Sequence, residues 1–477
     1  MIEPFILGRL GKLFVRGLFF IFALAATGIV GAHADSPPTV AIRSRVLWAG
    51  PPVNWRVTGS STGPVTKFAD RVFFVYVDDA LRPMVGQHDL QTGKTVVRPV
   101  WPNAKYRVRE DGHHALNLAV DADGFIHLVG DMHDQPFDNV DHIADSRLRS
   151  APMLYWRSKT PADISAGMVF HGDDDSCPPG RGWTYCNFFT GPNNTLHLYA
   201  RVWAKDSRRW KELGWVEPRR QGSRGWLLAA WDGELWKPIG RPVPDPDRLD
   251  DVPPLLFWEP SGVSEAHYQG YGGQITFDGK SLHLAAAINT EGYEPPRGLN
   301  QSDGMNAIVY ARSDDGGMTW MDSTGQVVSA FADRPLRSSD IDTGRGRGPL
   351  RIEVDMAVDD GLPVIAYRQV QPDGARVPYW FAVSPGGGFA MPRSLPNGRS
   401  NNRVMTDRGG FLLVPGRDAW WAGHYWNADG STIPVKNPLA TVRAGSFDDA
   451  NRLFYLTRRG NRVGLAVAEV NRPGFEK

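Results

Sequence analysis

The sequence predicts an all-β protein, a β-propeller of seven four-stranded antiparallel sheets, and three observations predict it. Short runs that alternate apolar and polar residues recur between turns rich in Asp, Asn and Gly, which is the period-two pattern of strands. The runs repeat one theme along the chain, as the blades of a propeller do. No segment keeps the apolar spacing of three and four residues that an amphipathic helix needs.

The repeated theme has two parts. A turn precedes a strand that reads apolar-His-apolar or a similar apolar run, and a later strand ends in aromatic-x-Arg-Ser. The strand copies are residues 125–128, 196–199, 282–285 and 364–367, and the aromatic copies are residues 155–158 and 310–313. His127, His197 and His283 fall at strand centres, so we expect them to pack within and between blades.

One turn carries a sharper signature. Residues 313–320 read S-D-D-G-G-M-T-W, which fits the Asp-box pattern S-x-D-x-G-x-T-W. The Asp and Gly suit a tight hairpin, and Trp320 is expected to cover the interior. The motif indicates architecture and carries no chemistry.

The N-terminus predicts export. Arg9, Lys12 and Arg16 precede an apolar run over 17–30, and Ala32-His33-Ala34 supplies small residues where a signal peptidase cleaves. The run is shorter than the about 20 residues of a bilayer span. We therefore expect a signal peptide over 1–34, one propeller domain over 35–477, and a secreted or periplasmic protein with no membrane contact after cleavage. That domain allows about 63 residues for each of seven blades, and six or eight blades are also compatible.

Charge and motifs exclude several classes. The 53 basic and 52 acidic residues give a net charge of +1, so the chain lacks the general basic character of a nucleic-acid-binding protein. It also lacks the H-E-x-x-H zinc motif and a glycine-rich phosphate loop. We expect a monomer without a nucleic-acid partner.

Two cysteines, Cys177 and Cys186, allow two interpretations. A close pair in an oxidising compartment usually forms a disulfide. Alternatively the two thiols and His171, with the carboxylates of residues 173–175 nearby, form a structural site for zinc or calcium.

Two histidines, a tyrosine and an arginine, in that order along the chain, are candidate catalytic residues. His113 lies in the stretch D-G-H-H-A-L-N, and His133 follows the strand 125–129 in G-D-M-H-D. Tyr185 lies in W-T-Y-C-N, and Arg201 comes one hairpin later.

This set resembles the propeller-type ulvan lyases and their wider BNR-repeat relatives over about residues 105–205. The resemblance implies a polysaccharide lyase that cuts a uronic-acid-containing glycan by β-elimination and requires no metal or organic cofactor. The chain departs from the family pattern at His114, Cys186 and Val202, and residues 204–225 form an insertion. These departures leave the particular substrate open.

The implied roles follow the chemistry of the residue types. Removal of the weakly acidic C5 proton needs a base, and a histidine at position 113 suits that role because the unperturbed pKa of histidine, about 6.5, lies close to operating pH. Tyr185 donates a proton to the departing O4, although the configuration at C5 decides which of the two is the base. Arg201 neutralises the carboxylate by two parallel bonds, and His133 assists it.

Substrate contacts and alternatives complete the prediction. His114, His267 and Tyr271 are candidates for contact with the sugar chain. A glycoside hydrolase on the same fold would instead use a pair of carboxylates, for which Asp131, Asp134 and Glu265 are available. A non-catalytic glycan-binding propeller is the third interpretation, because the fold alone does not decide function.

Overall fold

A computed structural model gives the arrangement of the strands. It describes residues 40–102, 106–130, 153–178, 184–203, 224–239, 268–290, 307–328, 350–359, 361–370, 376–382, 393–394, 402–407, 410–415, 424–427, 432–436, 442–448 and 452–471. Of some strand residues only the backbone is described. The predicted signal peptide lies outside these residues and stays a prediction, as does the domain boundary after residue 34.

The described strands of the first four blades follow one another along the chain. Blade I contains β2 (Val65–Phe68), β3 (Arg71–Val77), β4 (Pro83–Asp89) and β5 (Thr95–Pro99). Blade II contains β6 (Leu116–Val120), β7 (Ile126–Gly130), β8 (Tyr155–Thr160) and β9 (Asp163–Phe170). Blade III contains β10 (Thr184–Thr190), β11 (Leu196–Trp203), β12 (Arg224–Trp231) and β13 (Trp236–Pro238). Blade IV contains β14 (Tyr268–Phe277), β15 (Leu282–Thr290), β16 (Ala307–Ser313), β17 (Trp320–Met321) and β18 (Val327–Val328).

The remaining blades include one built from both ends of the described chain. Blade V contains β19 (Leu350–Asp359), β20 (Leu362–Val370), β21 (Arg376–Ala382) and β22 (Arg393–Ser394). Blade VI contains β23 (Asn402–Asp407), β24 (Gly410–Pro415), β25 (His424–Asn427) and β26 (Thr432–Lys436). Blade VII contains β27 (Val442–Phe447), β28 (Arg452–Arg459), β29 (Arg462–Asn471) and β1 (Val40–Pro52). Helical structure among the described residues is limited to α1 (Trp55–Thr58) and two 3₁₀ turns, Gly112–His114 and Pro192–Asn194.

The strand contacts confirm the predicted seven-bladed propeller. Within each blade the described neighbouring strands pair antiparallel, whereas the short parallel pairings β1–β26 and β12–β14 join neighbouring blades. The first strands contact one another in order, from β2 through β6, β10, β14, β19 and β23 to β27, and β27 contacts β2 again. These strands therefore line a central channel, and the ring is closed.

Closure of the ring depends on β1. It pairs antiparallel with β29, from Ala41 opposite Asn471 to Pro52 opposite Arg462. Because β1 precedes blade I in the chain and completes blade VII, the pairing joins the first described strand to the last. The edge that β29 would otherwise expose is thereby covered.

Second strands are buried on both faces, which explains their apolar sequences. In β3, residues 72–77 are all buried, and in β7 all five residues are buried. A strand whose sheet is covered by a neighbouring blade on each face has no side exposed to solvent, so its sequence is almost entirely apolar.

The strand-centre histidines form hydrogen-bonded networks inside blades, as their positions predicted. In blade II the His127 Nε2 lies 3.0 Å from an Asp121 carboxylate oxygen, and Nδ1 lies 2.7 Å from the Tyr155 hydroxyl. Blade IV repeats the arrangement, with His283 joined to Asp278 at 3.2 Å and to Tyr310 at 2.8 Å. A neutral imidazole that donates to the carboxylate and accepts from the phenol satisfies all three groups.

Residues 313–320 form the predicted hairpin turn in blade IV. The Asp315 carboxylate accepts from the backbone N–H groups of Met318 and Thr319 at 3.0 and 2.8 Å. The Trp320 indole N–H donates to the Gly317 carbonyl at 3.0 Å, and its ring is fully buried. Gly317 has φ +100°, a conformation that favours glycine.

Buried histidines make the fold sensitive to acid. Burial lowers the pKa of His127, so the folded protein binds its proton only at a pH below that at which the unfolded chain does. Unfolding then takes up a proton below about pH 6.5, and stability falls by up to about 1.4 kcal/mol per pH unit for that one group. We expect His127→Gln, which keeps a donor and an acceptor, to lose less stability than the wild type between about pH 7.5 and pH 5.5.

Thermal unfolding at the two pH values measures the effect. The control is His113→Gln, because His113 is exposed and its replacement removes no buried titrating group. An equal loss of Tm on acidification in His127→Gln and the wild type would contradict the assignment.

Candidate active site

His113, Tyr185 and Arg201 fall on one face of the propeller. We define the top face as the face at which the first strands of the blades begin. Because first and second strands are antiparallel, second strands end there: Leu116 of β6 lies opposite Gly130 of β7, and Thr184 of β10 lies opposite Arg201 of β11. The turn before β6, the start of β10 and the end of β11 therefore lie at this face, which explains how His113, Tyr185 and Arg201 converge.

His113 lies in the 3₁₀ turn that precedes β6, with 42% of its side chain exposed. Asp111 caps this turn, and one of its carboxylate oxygens accepts from the His113 backbone N–H at 3.1 Å. The same oxygen lies 2.6 Å from the ring Nδ1 of His113. Asp111 thus fixes the orientation of the imidazole, and a neutral ring that donates through Nδ1 leaves Nε2 as an acceptor.

The electrostatics keep Asp111 ionised. Burial raises the pKa of its carboxyl group, but the His113 backbone N–H and the charge of the His113 ring outweigh burial and hold it below its usual range. The carboxylate therefore stays available to accept from Nδ1 throughout the neutral pH range.

Tyr185 occupies a strained position at the start of β10. Its φ is 55°, in the left-handed region that a bulky side chain rarely adopts. The β10–β11 register passes from the pair Thr184–Arg201 to the pair Asn187–Tyr199, so Tyr185 and Cys186 form a β-bulge opposite a single residue. Bulges re-aim side chains next to functional sites, and this one turns the Tyr185 ring out of the ladder.

Arg201 is fully buried beneath Tyr185. Its guanidinium carbon lies 4.5 Å from the centre of the Tyr185 ring, and its Nε donates to the Thr184 hydroxyl at 2.8 Å. The predicted two-bond contact of Arg201 with a substrate carboxylate is therefore not available in this structure, because a residue with 0% exposure offers no donor to a bound ligand. A cation in this position acts through the ring above it and through its field in a medium of low dielectric constant.

Three of the four predicted residues are brought together. The ring centres of His113 and Tyr185 lie 6.0 Å apart with the ring planes at 65°, and Arg201 stacks on the same Tyr185 ring. The exposed imidazole and the buried guanidinium thus share one phenol as their common neighbour.

A buried amide joins the two segments that carry His113 and Tyr185. Asn117, in β6, is 3% exposed, and its side-chain nitrogen donates to the Cys186 carbonyl at 2.5 Å. Its oxygen accepts from the backbone N–H groups of Thr62 and Gly63 at 2.9 and 2.6 Å. One side chain in blade II therefore binds backbone from blade III and from the segment that leads into blade I.

The other predicted site residues fare differently. His114, predicted as a substrate contact, is buried with 1% exposure. This prediction is not supported, because a 3₁₀ turn has three residues per turn and directs adjacent side chains to different sides. Tyr271 lies in β14, of which the backbone is described at that position. His133, His267, Asp131, Asp134 and Glu265 lie outside the described residues, and their roles stay predictions.

The two cysteines are buried free thiols, so the predicted disulfide is wrong in this structure. Burial raises the pKa of both thiols, which keeps them protonated. His171 instead pairs with Asp174, its Nδ1 lying 2.7 Å from a carboxylate oxygen. Among the residues that the structure describes, no three His, Cys, Asp or Glu side chains are arranged to hold a metal ion, so the predicted set of His171, Cys177 and Cys186 is not assembled there.

A separate pocket of about 240 Å³ opens between the first strands of blades I, II and III. Thr66, Ala119 and Asn187 are among its lining residues, and it faces the channel. His113, Tyr185 and Arg201 do not line it, so the candidate site is a feature of the top face and not of this pocket.

One family model matches part of the chain in sequence. Residues 71–211 match the BNR repeat-containing family. The matched segment covers β3 to β11, which are three strands of blade I, all of blade II and the first two strands of blade III, and it includes His113, Tyr185 and Arg201. No curated protein matches the chain in sequence.

Solved structures similar to this chain include ulvan lyases. The crystal structure of polysaccharide lyase Uly1 is 15% identical with a TM-score of 0.58, and the alignment covers 86% of this chain and 90% of that one. A PL25 ulvan lyase is 13% identical with a TM-score of 0.60, covering 89% of this chain and 95% of that one. The same kind of lyase bound to -[GlcA(1-4)Rha3S]- gives 11%, a TM-score of 0.59 and the same coverage. At these identities the likeness shows the propeller fold.

Described helices include none long and apolar enough to cross a membrane.

Sequence reasoning missed three residues that shape the site. For Asp111 the sequence does contain a signal, because an Asp two residues before a His can cap the turn and contact the imidazole with the same carboxylate. Thr184 and Asn117 gave no signal, since their importance depends on the strand register and on contacts between blades.

Proposed function

We propose that the chain is a polysaccharide lyase that cleaves a uronic-acid-containing glycan of the ulvan type by β-elimination. One observation carries the proposal: an exposed imidazole held by a carboxylate lies against a phenol that covers a buried guanidinium. A base, a proton donor and a fixed positive charge are the groups that this elimination requires.

His113 acts as the base in the proposed reaction. With Nδ1 donating to Asp111, its Nε2 accepts the C5 proton of the uronate, and the electron pair of the broken C–H bond forms the C4=C5 double bond. The bond from C4 to O4 breaks, and O4 leaves with a proton from the Tyr185 hydroxyl. Where the configuration at C5 is opposite, the phenol and the imidazole exchange these tasks.

The spacing suits one sugar ring. C5–H and O4 sit on adjacent carbons, and each catalytic group must approach to a hydrogen-bond distance of about 3 Å. Ring centres that lie 6.0 Å apart allow the imidazole and the phenol to reach these two positions of the same residue.

Arg201 supplies the positive charge from below. As the C5 proton leaves, negative charge grows on the uronate carboxylate. A cation that is fully buried is little screened by water, so it stabilises that charge and the phenolate of Tyr185 without direct contact.

The structural neighbours support the substrate class. Uly1 and the PL25 enzyme are lyases by name, and one structure of the latter contains glucuronic acid linked to sulfated rhamnose. A glycoside hydrolase would need two free carboxylates in the site, whereas the described carboxylate at His113, that of Asp111, is engaged by its ring.

One assay tests the proposal. Purified protein is incubated with ulvan and with other uronate glycans, and the ultraviolet absorbance of the conjugated C4=C5 double bond is followed together with new reducing ends. We expect both signals to rise in parallel. Reducing ends without the absorbance would indicate hydrolysis, and binding without either signal would indicate a non-catalytic glycan-binding protein; either result would overturn the proposed function.

A further inference from the structure

We propose that Asn117 is a positioning residue that holds Tyr185 in its strained conformation and sets its distance from His113. The inference rests on the proposed function for its catalytic consequence, although its structural content does not depend on the reaction.

The first step concerns Tyr185. A left-handed φ of 55° is unfavourable for a bulky residue and persists only where surrounding contacts hold it. The bulge removes Tyr185 and Cys186 from the regular ladder, so the ladder itself does not impose this conformation. The hydrogen bond from the Asn117 amide to the Cys186 carbonyl, at 2.5 Å, fixes the peptide unit between Cys186 and Asn187, at the second residue of the bulge.

The second step concerns His113. Asn117 is the second residue of β6, and the 3₁₀ turn that carries His113 leads directly into that strand. The amide of Asn117, four residues after His113, is therefore bonded to the backbone of Cys186, one residue after Tyr185. The ring-centre separation of 6.0 Å is set by this link between blades II and III.

The third step concerns the rigidity of Asn117 itself. Its side-chain oxygen accepts from two consecutive backbone N–H groups, those of Thr62 and Gly63, so the amide cannot rotate without losing both. The amide is thus held from one side while it holds the Tyr185 segment from the other.

The test compares Asn117→Ala with a control variant that removes a different side-chain amide between two blades. Gln87 also joins two blades with a buried side-chain amide, since its oxygen accepts from the Ile164 backbone N–H at 3.0 Å. We expect Asn117→Ala to lower kcat about a hundredfold with little change in KM, because a shift of about 1 Å between acid and base has that effect. Gln87→Leu should lower Tm to a similar extent and keep kcat within about twofold of the wild type. Equal kcat in the two variants would overturn the assignment.

A conservative variant covers the case in which Asn117→Ala does not fold. Asn117→Asp keeps the acceptor for Thr62 and Gly63 but, when ionised, has no hydrogen to donate to the Cys186 carbonyl. The protonated side chain regains an O–H donor, so the ratio of its kcat to that of the wild type should rise as pH falls. A ratio that stays at one across the pH range would overturn the assignment.

Hydrogen–deuterium exchange separates this inference from the proposed function. We expect peptides covering residues 184–190 to exchange faster in Asn117→Ala and at the wild-type rate in Gln87→Leu. If the wild type cleaves no uronate glycan, the proposed function fails while the exchange comparison still decides the Asn117 assignment; unchanged exchange in Asn117→Ala would overturn the latter alone.

Discussion

Replacing His113 with Ala should lower kcat for uronate-glycan cleavage by a factor of about 10² to 10⁴, the usual contribution of a positioned base or acid. Tyr185→Phe should cause a loss of the same order, because it removes only the hydroxyl that the proposed reaction uses. The imidazole is 42% exposed, so its loss opens no cavity and the fold should survive. Initial rates of the absorbance increase measure both effects.

A second histidine–carboxylate pair provides the control. His171 pairs with Asp174 at 2.7 Å, as His113 pairs with Asp111, but it follows β9 at the end of blade II. We expect His171→Ala to keep the wild-type rate. Turnover by His113→Ala or Tyr185→Phe at the rate of the His171 control would remove that residue from the mechanism.

Replacing Arg201 with Met should lower kcat about 10²- to 10³-fold, comparable to the removal of one preorganised group that stabilises developing charge. Met fills much of the same volume, so the variant tests the charge more than the packing. It also leaves the Thr184 hydroxyl without the donor that lies 2.8 Å away, and a moderate decrease in Tm is expected. The rate and Tm are measured on the same preparation.

The matched control is another Arg that stacks on an aromatic ring. Arg157 lies 5.2 Å from the centre of the Trp231 ring and outside the candidate site. Arg157→Met should affect Tm and leave kcat unchanged. A rate for Arg201→Met that is as high as that of Arg157→Met would show that the buried charge takes no part in the reaction.

The fold could be predicted from the sequence because it is encoded by patterns between residues close together in the chain. Each blade repeats turn residues and a period-two strand, and the strand-centre histidines reappear as blade-packing groups with the partners Asp121 and Tyr155 in one blade and Asp278 and Tyr310 in another. Patterns of this kind survive in a single sequence.

The site was only partly accessible, because its decisive features are not local. The resemblance of the segments around His113, Tyr185 and Arg201 to a family pattern implied that these residues meet, but it did not show which of them is buried and which is exposed. Burial of Arg201 and of His114 depends on which side of a bulge or a 3₁₀ turn each side chain leaves, and a shift of one residue reverses that outcome. The Asn117 link joins residues 69 positions apart, and nothing in the local sequence marks it.

The pairing of β1 with β29 has a consequence for how the molecule is made. Among the described strands β1 is synthesised first and its partner β29 last, so β1 stays without this partner until the other described strands have been made. Pairing across such a long separation is slow to form, and a waiting strand can attach to another molecule instead. We therefore expect the nascent chain to be most prone to aggregation in the interval before β1 and β29 pair.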